Sequence, residues 1–325
     1  MKKVLIIRFS SIGDIILTTP IIRVLKEQLN VEIHFITKEQ FKEILTFNPH
    51  ITKIHTFKKE TNEIINELKK ESFDLIIDLH KNLRSFSLIN KLGVKSVNYN
   101  KLNFIKFVTV LLKDKKLLPK LHIVDRYFFA LKSLGVINDG KGLEYFINEK
   151  IINNSEINKL NQTKYIAIVL GGSYYTKQIP IEKLKEICKK ISSQLILLGS
   201  KNESEIGSQL ASNFKNVVNL CGKLSFNESA FVVKEAEWVI TSDTGLMHVA
   251  AAYNKKIISV WGNTIPEFGM SPYLPNNENI LLQVNDLNCR PCSKLGYKKC
   301  PKKHFNCMQK INLNELDKVN WPNFQ

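Results

Sequence analysis

The chain has 325 residues, 44% of them hydrophobic, and a formal net charge of +17. That length suggests two domains, and the apolar content is ample for real cores. No run of about 18 or more apolar residues occurs, which excludes a spanning helix from the pattern. The start, Met1-Lys2-Lys3-Val4-Leu5-Ile6-Ile7-Arg8, is basic and then apolar. It lacks a long apolar region and a small-residue cleavage site, so it reads as a first strand of a cytoplasmic protein and not as a signal peptide.

Strands alternate with helices along the chain. Lys3–Phe9 is predicted as a strand and Asp14–Gln28 as a helix carrying Ile15, Ile16, Ile22, Val24 and Leu25. Strand Val31–Ile36, helix Lys38–Leu45, strand Ile54–Phe57, helix Glu60–Glu71, strand Leu75–Leu79 and helix Lys81–Leu92 follow. Around 148–155 the sequence turns polar and reads as a linker. The pattern then restarts with strand Tyr165–Leu170, helix Ile181–Ser192, strand Gln194–Leu198, helix Ser204–Ala211 and strand Val217–Asn219. Helix Phe226–Glu235 carries Ser225 and Glu228 at capping-box spacing. Strand Trp238–Thr241, helix Leu246–Tyr253 and strand Lys256–Val260 complete the series. The expected architecture is α/β: two domains with parallel sheets, 1–152 and 153–325, facing across a cleft. The C-terminal tail is left free to pack back on the first domain.

In open α/β sheets, ligands sit at the carboxyl ends of the strands. Three strand ends carry suitable chemistry. After the first strand comes Arg8-Phe9-Ser10-Ser11-Ile12-Gly13-Asp14. Asp14 there is either a helix N-terminal charge or a carboxylate poised to take a proton. After Tyr165–Leu170 comes Gly171-Gly172-Ser173-Tyr174-Tyr175-Thr176-Lys177, in which Ser173 can donate to phosphate and Lys177 offers a point charge. In Leu198-Gly199-Ser200-Lys201-Asn202-Glu203, Glu203 is either an acceptor for ribose hydroxyls or a helix-start charge. The densest signal is Ser242-Asp243-Thr244-Gly245-Leu246-Met247-His248 ahead of Val249-Ala250-Ala251-Ala252. A buried strand, a polar turn, a glycine and a close-packed helix make an anion site from free N–H groups and the helix dipole. No G-x-G-x-x-G or Walker loop occurs, which disfavours nicotinamide dehydrogenases and P-loop NTPases.

Two basic regions stand out. Residues 81–120 hold ten Lys/Arg against one acid, Asp114, interleaved with Leu102, Phe104, Ile105, Phe107, Val108, Val110, Leu111 and Leu112. Such a stretch suits an anionic membrane surface or a lipid-linked anionic substrate; nucleic acid and a plain solvated face are the competing readings. Cys289, Cys292, Cys300 and Cys307, with His304 among them, form the second, in a segment 289–310 without an acidic residue. Structural zinc, free thiols and disulfides all remain open for these four cysteines. Cys188 and Cys221 stand alone and read as core.

Taken together the chain resembles glycosyltransferase family 9, the bacterial lipopolysaccharide heptosyltransferases. The residues that carry the likeness are Ser10-Ser11-Ile12-Gly13-Asp14 with Pro20, Asp78-Leu79-His80, and His122-Ile123-Val124-Asp125-Arg126-Tyr127. In the second half they are Ser173, Lys177 and Pro180, Leu198-Gly199-Ser200, Ser242 to His248, and Val260-Trp261-Gly262-Asn263-Thr264 with Pro266 and Gly269. The resemblance implies a GT-B fold of two Rossmann-like domains, the first binding acceptor and the second binding nucleotide-sugar. It implies inverting transfer of a heptose or related sugar from an ADP-sugar, with no cofactor required for catalysis. In that scheme Asp14 is the general base, and Ser11, Gly13, Lys81, Arg84 and Arg126 lie on the acceptor side. Donor binding falls to Ser173, Lys177, Glu203, Asp243, Thr244, Gly245, Leu246 and His248. The acceptor is a phosphorylated glycolipid reached from the inner membrane surface, and nucleic acid is not a partner. The alternatives are a GT-B enzyme using another nucleotide-sugar for a different surface glycan, an epimerase-like hydrolase, and a non-catalytic protein that binds nucleic acid or membrane. The last predicts that Asp14, Lys177 and Asp243 are dispensable.

Overall fold

The structure is a computed structural model and describes residues 1–160 and 164–322. The chain divides into two compact units, 1–102 with 121–147, and 103–120 with 148–325.

The first unit is built on a five-stranded sheet of β1 (Lys3–Ile7), β2 (Glu32–Lys38), β3 (Lys53–Phe57), β4 (Leu75–Asp78) and β5 (Ser96–Asn98), in the order β3-β2-β1-β4-β5. Every pairing is parallel; Val4 faces Ile33 on one side and Leu75 on the other. A central parallel strand is covered on both faces, so β1 reads as a continuous apolar run. Val4, Leu5, Ile6 and Ile7 are accordingly fully buried. The single helix expected over 14–28 is two, Ile12–Ile16 and Thr19–Leu29. Pro20 sits in the first turn of the second. It has no N–H to donate and would crowd a preceding turn, so the helix restarts there. The stretch expected as helix at 38–45 is a 3-10 turn, Glu39–Ile44, and that at 60–71 is a 3-10 turn, Thr61–Ile64, leading into helix Ile65–Lys70.

The second unit holds six parallel strands, β6 (Tyr165–Val169), β7 (Gln194–Leu198), β8 (Val217–Asn219), β9 (Trp238–Ser242), β10 (Lys256–Trp261) and β11 (Ile280–Gln283). Their order is β11-β10-β9-β6-β7-β8. The expected capping box forms at helix Phe226–Glu235: Ser225 Oγ accepts from the Glu228 amide, and Glu228 accepts from the Ser225 amide. The polar stretch after residue 147 is not plain linker. Asn148 and Asn154 each accept from an amide two residues on, which starts the short turns Glu149–Ile151 and Ser155–Asn158.

Residues 103–120 belong to this second unit, although an unbroken first domain of 1–152 was expected. The helix Asn103–Leu112 and the turn after it place Ile105, Val110 and Leu118 against Ile265 and Phe268. Lys113 Nζ donates to the Pro291 carbonyl at 3.0 Å, and Lys115 pairs with Glu267 at 3.1 Å. The described part of the C-terminal tail packs on this second unit. Trp321 meets Trp238 edge-on with ring centroids 5.6 Å apart, and Asp317 pairs with Lys190 at 2.7 Å.

Candidate active site

In the first unit the strand order reverses between β1 and β4, the kind of switch point at which open sheets leave a crevice. Arg8 and Asp14 follow β1. The buried Arg8 guanidinium lies 2.5 Å from Asp14 Oδ1. It also donates to the carbonyls of Leu79 at 2.6 Å and Ser10 at 2.8 Å, which fixes the fork from two strand ends. Asp14 Oδ2 accepts from Ser11 Oγ at 2.8 Å and from the Ser11 amide at 3.2 Å. Asp14 is thus a capping carboxylate and an ion-pair partner at once. Burial pushes its carboxyl up, but the Arg8 charge and the Ser11 donors outweigh burial and hold it below the ordinary aspartate range. Gly13 is buried under this turn and Ser11 is exposed.

Around this pair the unit is cationic. Burial, then Arg8 and Lys101, push His80 down to about 3, so the ring is neutral at pH 7. Burial and then Arg8 lower the Lys101 ammonium. Arg126, buried on helix Ile123–Leu131, donates to the Lys101 carbonyl at 3.4 Å. Lys81 spans to the Tyr99 carbonyl at 2.9 Å, and Arg84 is exposed on helix Leu83–Leu92. Asp78 shapes the turn, accepting from the amides of His80 at 2.9 Å and Lys81 at 2.7 Å and from Ser85 Oγ at 2.7 Å. Arg8 and His80 stood within the sequence motifs and Lys101 within the basic stretch, but the sequence assigned none of them a role. Arg8 directly follows β1 and His80 lies two residues past the end of β4, which is a usable signal; Lys101 lies past β5, a strand too short to read.

In the second unit the reversal falls between β6 and β9. Lys177 follows β6 and Asp243 follows β9, and Lys177 Nζ lies 2.5 Å from Asp243 Oδ2. Both side chains are mostly buried, so this is a shielded charge pair and not a surface one. The loop that carries Lys177 is pinned at Thr176, which exchanges hydrogen bonds with Tyr297 through backbone and hydroxyl. Thr244 caps helix Gly245–Ala252, its Oγ1 accepting from the Met247 amide at 3.3 Å. Its hydroxyl lies 3.0 Å from that of Thr241. Ser242 Oγ is buried without a hydrogen-bond partner among the described residues, on the side of the glycine pair Gly171-Gly172. Leu246 and His248 are buried in the helix's packed face, while Ser173 is exposed. Glu203 is chiefly a cap: Oε2 accepts from the Ser200 amide at 2.8 Å and hydroxyl at 2.7 Å, and Oε1 is 3.4 Å from Gln178 Nε2.

None of the six cysteines is in a disulfide. Burial, and then the neighbouring thiols, push Cys292 to about 11 and Cys307 to about 12. Cys292 donates to the Cys289 carbonyl at 2.9 Å, and Cys289 Sγ lies 3.9 Å from His304 Nε2. The loop is anchored by Arg290, which donates to the carbonyls of Gly262, Val284 and Thr264 at 2.6, 2.9 and 2.9 Å.

Two parallel α/β sheet units, in a chain that superposes on solved heptosyltransferases over most of its length, give the GT-B fold. Residues 62–303 match the model of glycosyltransferase family 9 (heptosyltransferase). The chain belongs to that family and is a glycosyltransferase. It is 24% identical over 290 residues to lipopolysaccharide heptosyltransferase 1 of Campylobacter coli, covering 81% of this chain and 84% of the relative. It is 26% identical over 317 residues to lipooligosaccharide heptosyltransferase 2 of Campylobacter jejuni, covering 92% and 91%. The structure of the Escherichia coli heptosyltransferase WaaC with ADP superposes with a TM-score of 0.67 at 20% identity, covering 86% of this chain and 92% of that one.

Proposed function

We propose that the enzyme transfers a heptose or related sugar from an ADP-sugar to a lipopolysaccharide core or lipid A-linked acceptor, with inversion at the anomeric carbon. The observation that carries this reading is the Lys177–Asp243 pair, 2.5 Å apart, directly ahead of helix Gly245–Ala252. A departing nucleoside diphosphate develops negative charge as the sugar C–O bond breaks. The Lys177 ammonium, with the amides of the capped helix N-terminus, meets that charge from fixed positions. Lys177 and Ser173 hold the diphosphate, Thr244 and Gly245 take a phosphate oxygen, and Asp243 accepts from sugar hydroxyls. Leu246 packs beneath the donor. His248 is buried and acts as a positioning residue for the helix. A ribose contact from Glu203 uses Oε1, since Oε2 is committed to Ser200.

On the acceptor side Asp14 takes the proton of the attacking hydroxyl as that oxygen bonds to the anomeric carbon. Held below the ordinary aspartate range, Asp14 is ionised throughout the neutral range. Ser11 and Gly13 shape the turn around it, and Lys81, Arg84 and Arg126 supply positive potential for a phosphorylated acceptor. The leaving-group charge is carried by protein groups, so the transfer needs no metal ion.

Peripheral association with the anionic inner membrane face is part of the proposal. Helix Asn103–Leu112 exposes Phe104, Phe107, Leu111 and Leu112 at helical spacing, beside Lys106, Lys113, Lys115 and Lys116. Among the described residues no helix is long and apolar enough to cross a membrane. Structural zinc on Cys289, Cys292, Cys300 and Cys307 requires their sulfurs to draw together, because no three of them lie mutually within 4.8 Å. Metal content of the Cys292→Ser chain against the unsubstituted one tests it.

Calorimetric titration of ADP, UDP and GDP in the presence of EDTA tests the donor. Selective ADP binding is expected. A preference for UDP or GDP discards ADP-heptose, and binding of none of the three overturns the transferase site.

A further inference from the structure

The transfer reaction uses nothing from a second polar cluster in the first unit. His34 on β2 and His55 on β3 are almost fully buried and stack with ring centroids 5.1 Å apart. His34 Nδ1 lies 2.9 Å from His55 Nε2 and 3.9 Å from Glu71 Oε2. Among the described residues these are the one group of three such ligand atoms lying mutually within 4.8 Å. Bonds of about 2.1 Å in a tetrahedron separate neighbouring ligand atoms by about 3.4 Å. The two measured gaps fall on either side of that spacing.

The surroundings have the form of a metal site's outer shell. His55 Nδ1 lies 2.8 Å from Glu67 Oε1. A proton donated there leaves the Nε2 lone pair facing inward, the carboxylate–imidazole–metal pattern that orients ligating histidines. Glu67 and Glu71 are four residues apart, on one face of helix Ile65–Lys70 and its cap. Phe73 covers both rings edge-on, at 5.2 Å from His34 and 6.2 Å from His55. Lys3 and Lys53 neutralise Glu71 at 3.1 and 2.7 Å. Both are solvent-reaching side chains, 25% and 45% exposed, that can swing aside. Glu71 itself is part-exposed and gives an ion a way in.

We propose that His34 Nδ1, His55 Nε2 and Glu71 bind one divalent transition-metal ion, with Glu67 as the orienting partner of His55. Two imidazoles and a carboxylate select zinc-class ions over magnesium or calcium. The ion takes the place of the proton that His34 and His55 share, which His34 then carries on Nε2. It displaces Lys3 from Glu71 Oε2. Bound there it clasps β2, β3 and helix Ile65–Lys70 together and stabilises the first unit.

The test is titration of the untagged, EDTA-stripped full chain with cobalt(II), followed by visible absorption, alongside thermal melts with zinc. The Cys289→Ser/Cys292→Ser chain removes the thiol loop as a competing site. The expected result in the Cys→Ser chain is one equivalent of cobalt with nitrogen–oxygen d–d bands and no thiolate charge-transfer band. Glu71→Gln, a part-exposed and conservative change, abolishes it, and Glu67→Gln weakens it about 10- to 100-fold. Zinc raises the melting temperature of the Cys→Ser chain but not of the Cys→Ser chain that also carries Glu71→Gln. Absence of the d–d bands in the Cys→Ser chain overturns the proposal without recourse to any histidine variant. So does cobalt binding in the Cys→Ser chain that Glu71→Gln leaves intact.

Discussion

Arg8 and Asp14 are six positions apart in a turn after a buried strand, and the turn folds back so that guanidinium and carboxylate meet at 2.5 Å. That contact sets the acid–base behaviour of the first unit. Arg8 holds Asp14 down against the upward push of burial. Removing the guanidinium leaves burial dominant, so Arg8→Ala is expected to shift the acid limb of the kcat profile to higher pH. An unchanged limb means that Asp14 is not the titrating base. His80 gives a second pH signature. Its folded value, about 3, lies below the ordinary 6.5 because the ring is buried and faces Arg8. The unfolded chain therefore binds the extra proton between those values. Stability contributed by neutral His80 is complete above about 6.5 and is lost as pH falls toward about 3. Urea melts of His80→Phe, whose ring can keep the contact with Phe9, should show a shallower decline over that window. An equal decline removes His80 from the account. The candidate acid was legible because Asp14 follows a strand end; its Arg8 partner was not, since spacing in a turn does not reveal which side chains fold onto each other.

At the level of elements, the helix Gly245–Ala252 depends on its cap. Thr244 Oγ1 satisfies the Met247 amide, so Thr244→Ala is expected to cost about 1 kcal/mol in denaturant melts and to weaken ADP binding as well. Loss of stability with donor affinity intact would remove Thr244 from the donor site. Elements with strong local signals were readable. Strand Gln194–Leu198, helix Phe226–Glu235 with its Ser225/Glu228 box, and the Asp243-Thr244-Gly245 turn follow from apolar runs, capping residues and a glycine. Others were not. Strand Ser96–Asn98 has three residues, none of them buried, and takes its strand form from pairing with Ile76, Ile77 and Asp78. Strand Ile280–Gln283 follows an Asn-rich stretch and is likewise defined by its neighbour, β10. Glu203 could be read as cap or ligand, and only the distances to Ser200 decide that capping holds one of its oxygens.

For the whole molecule the charge of +17 matters through where it lies. The basic stretch 81–120 was visible as a stripe, but its division was not: 103–120 joins the second unit through a few apolar contacts with Ile265 and Phe268, far away in sequence. Its outward face keeps two phenylalanines and two leucines exposed among lysines. A pairing of this kind binds anionic bilayers through apolar insertion plus about 1 kcal/mol per basic residue near the surface. Phe104→Ser/Phe107→Ser is expected to reduce co-sedimentation with phosphatidylglycerol vesicles while leaving the melting temperature near that of the unsubstituted chain, because neither ring is in the core. Equal binding by the double variant, or equal binding to neutral vesicles, contradicts membrane docking by this helix.

We propose Asp14 as the base of a transfer whose donor is held in the second unit. The measurement that tests it most directly is turnover of ADP-heptose with a lipid A-linked acceptor, in EDTA, by the unsubstituted chain and by Asp14→Asn, with ADP affinity measured on both. Inverted product is expected from the unsubstituted chain, with a loss of at least about 100-fold in turnover for Asp14→Asn and unchanged ADP binding. Near-normal turnover by Asp14→Asn would contradict the proposal.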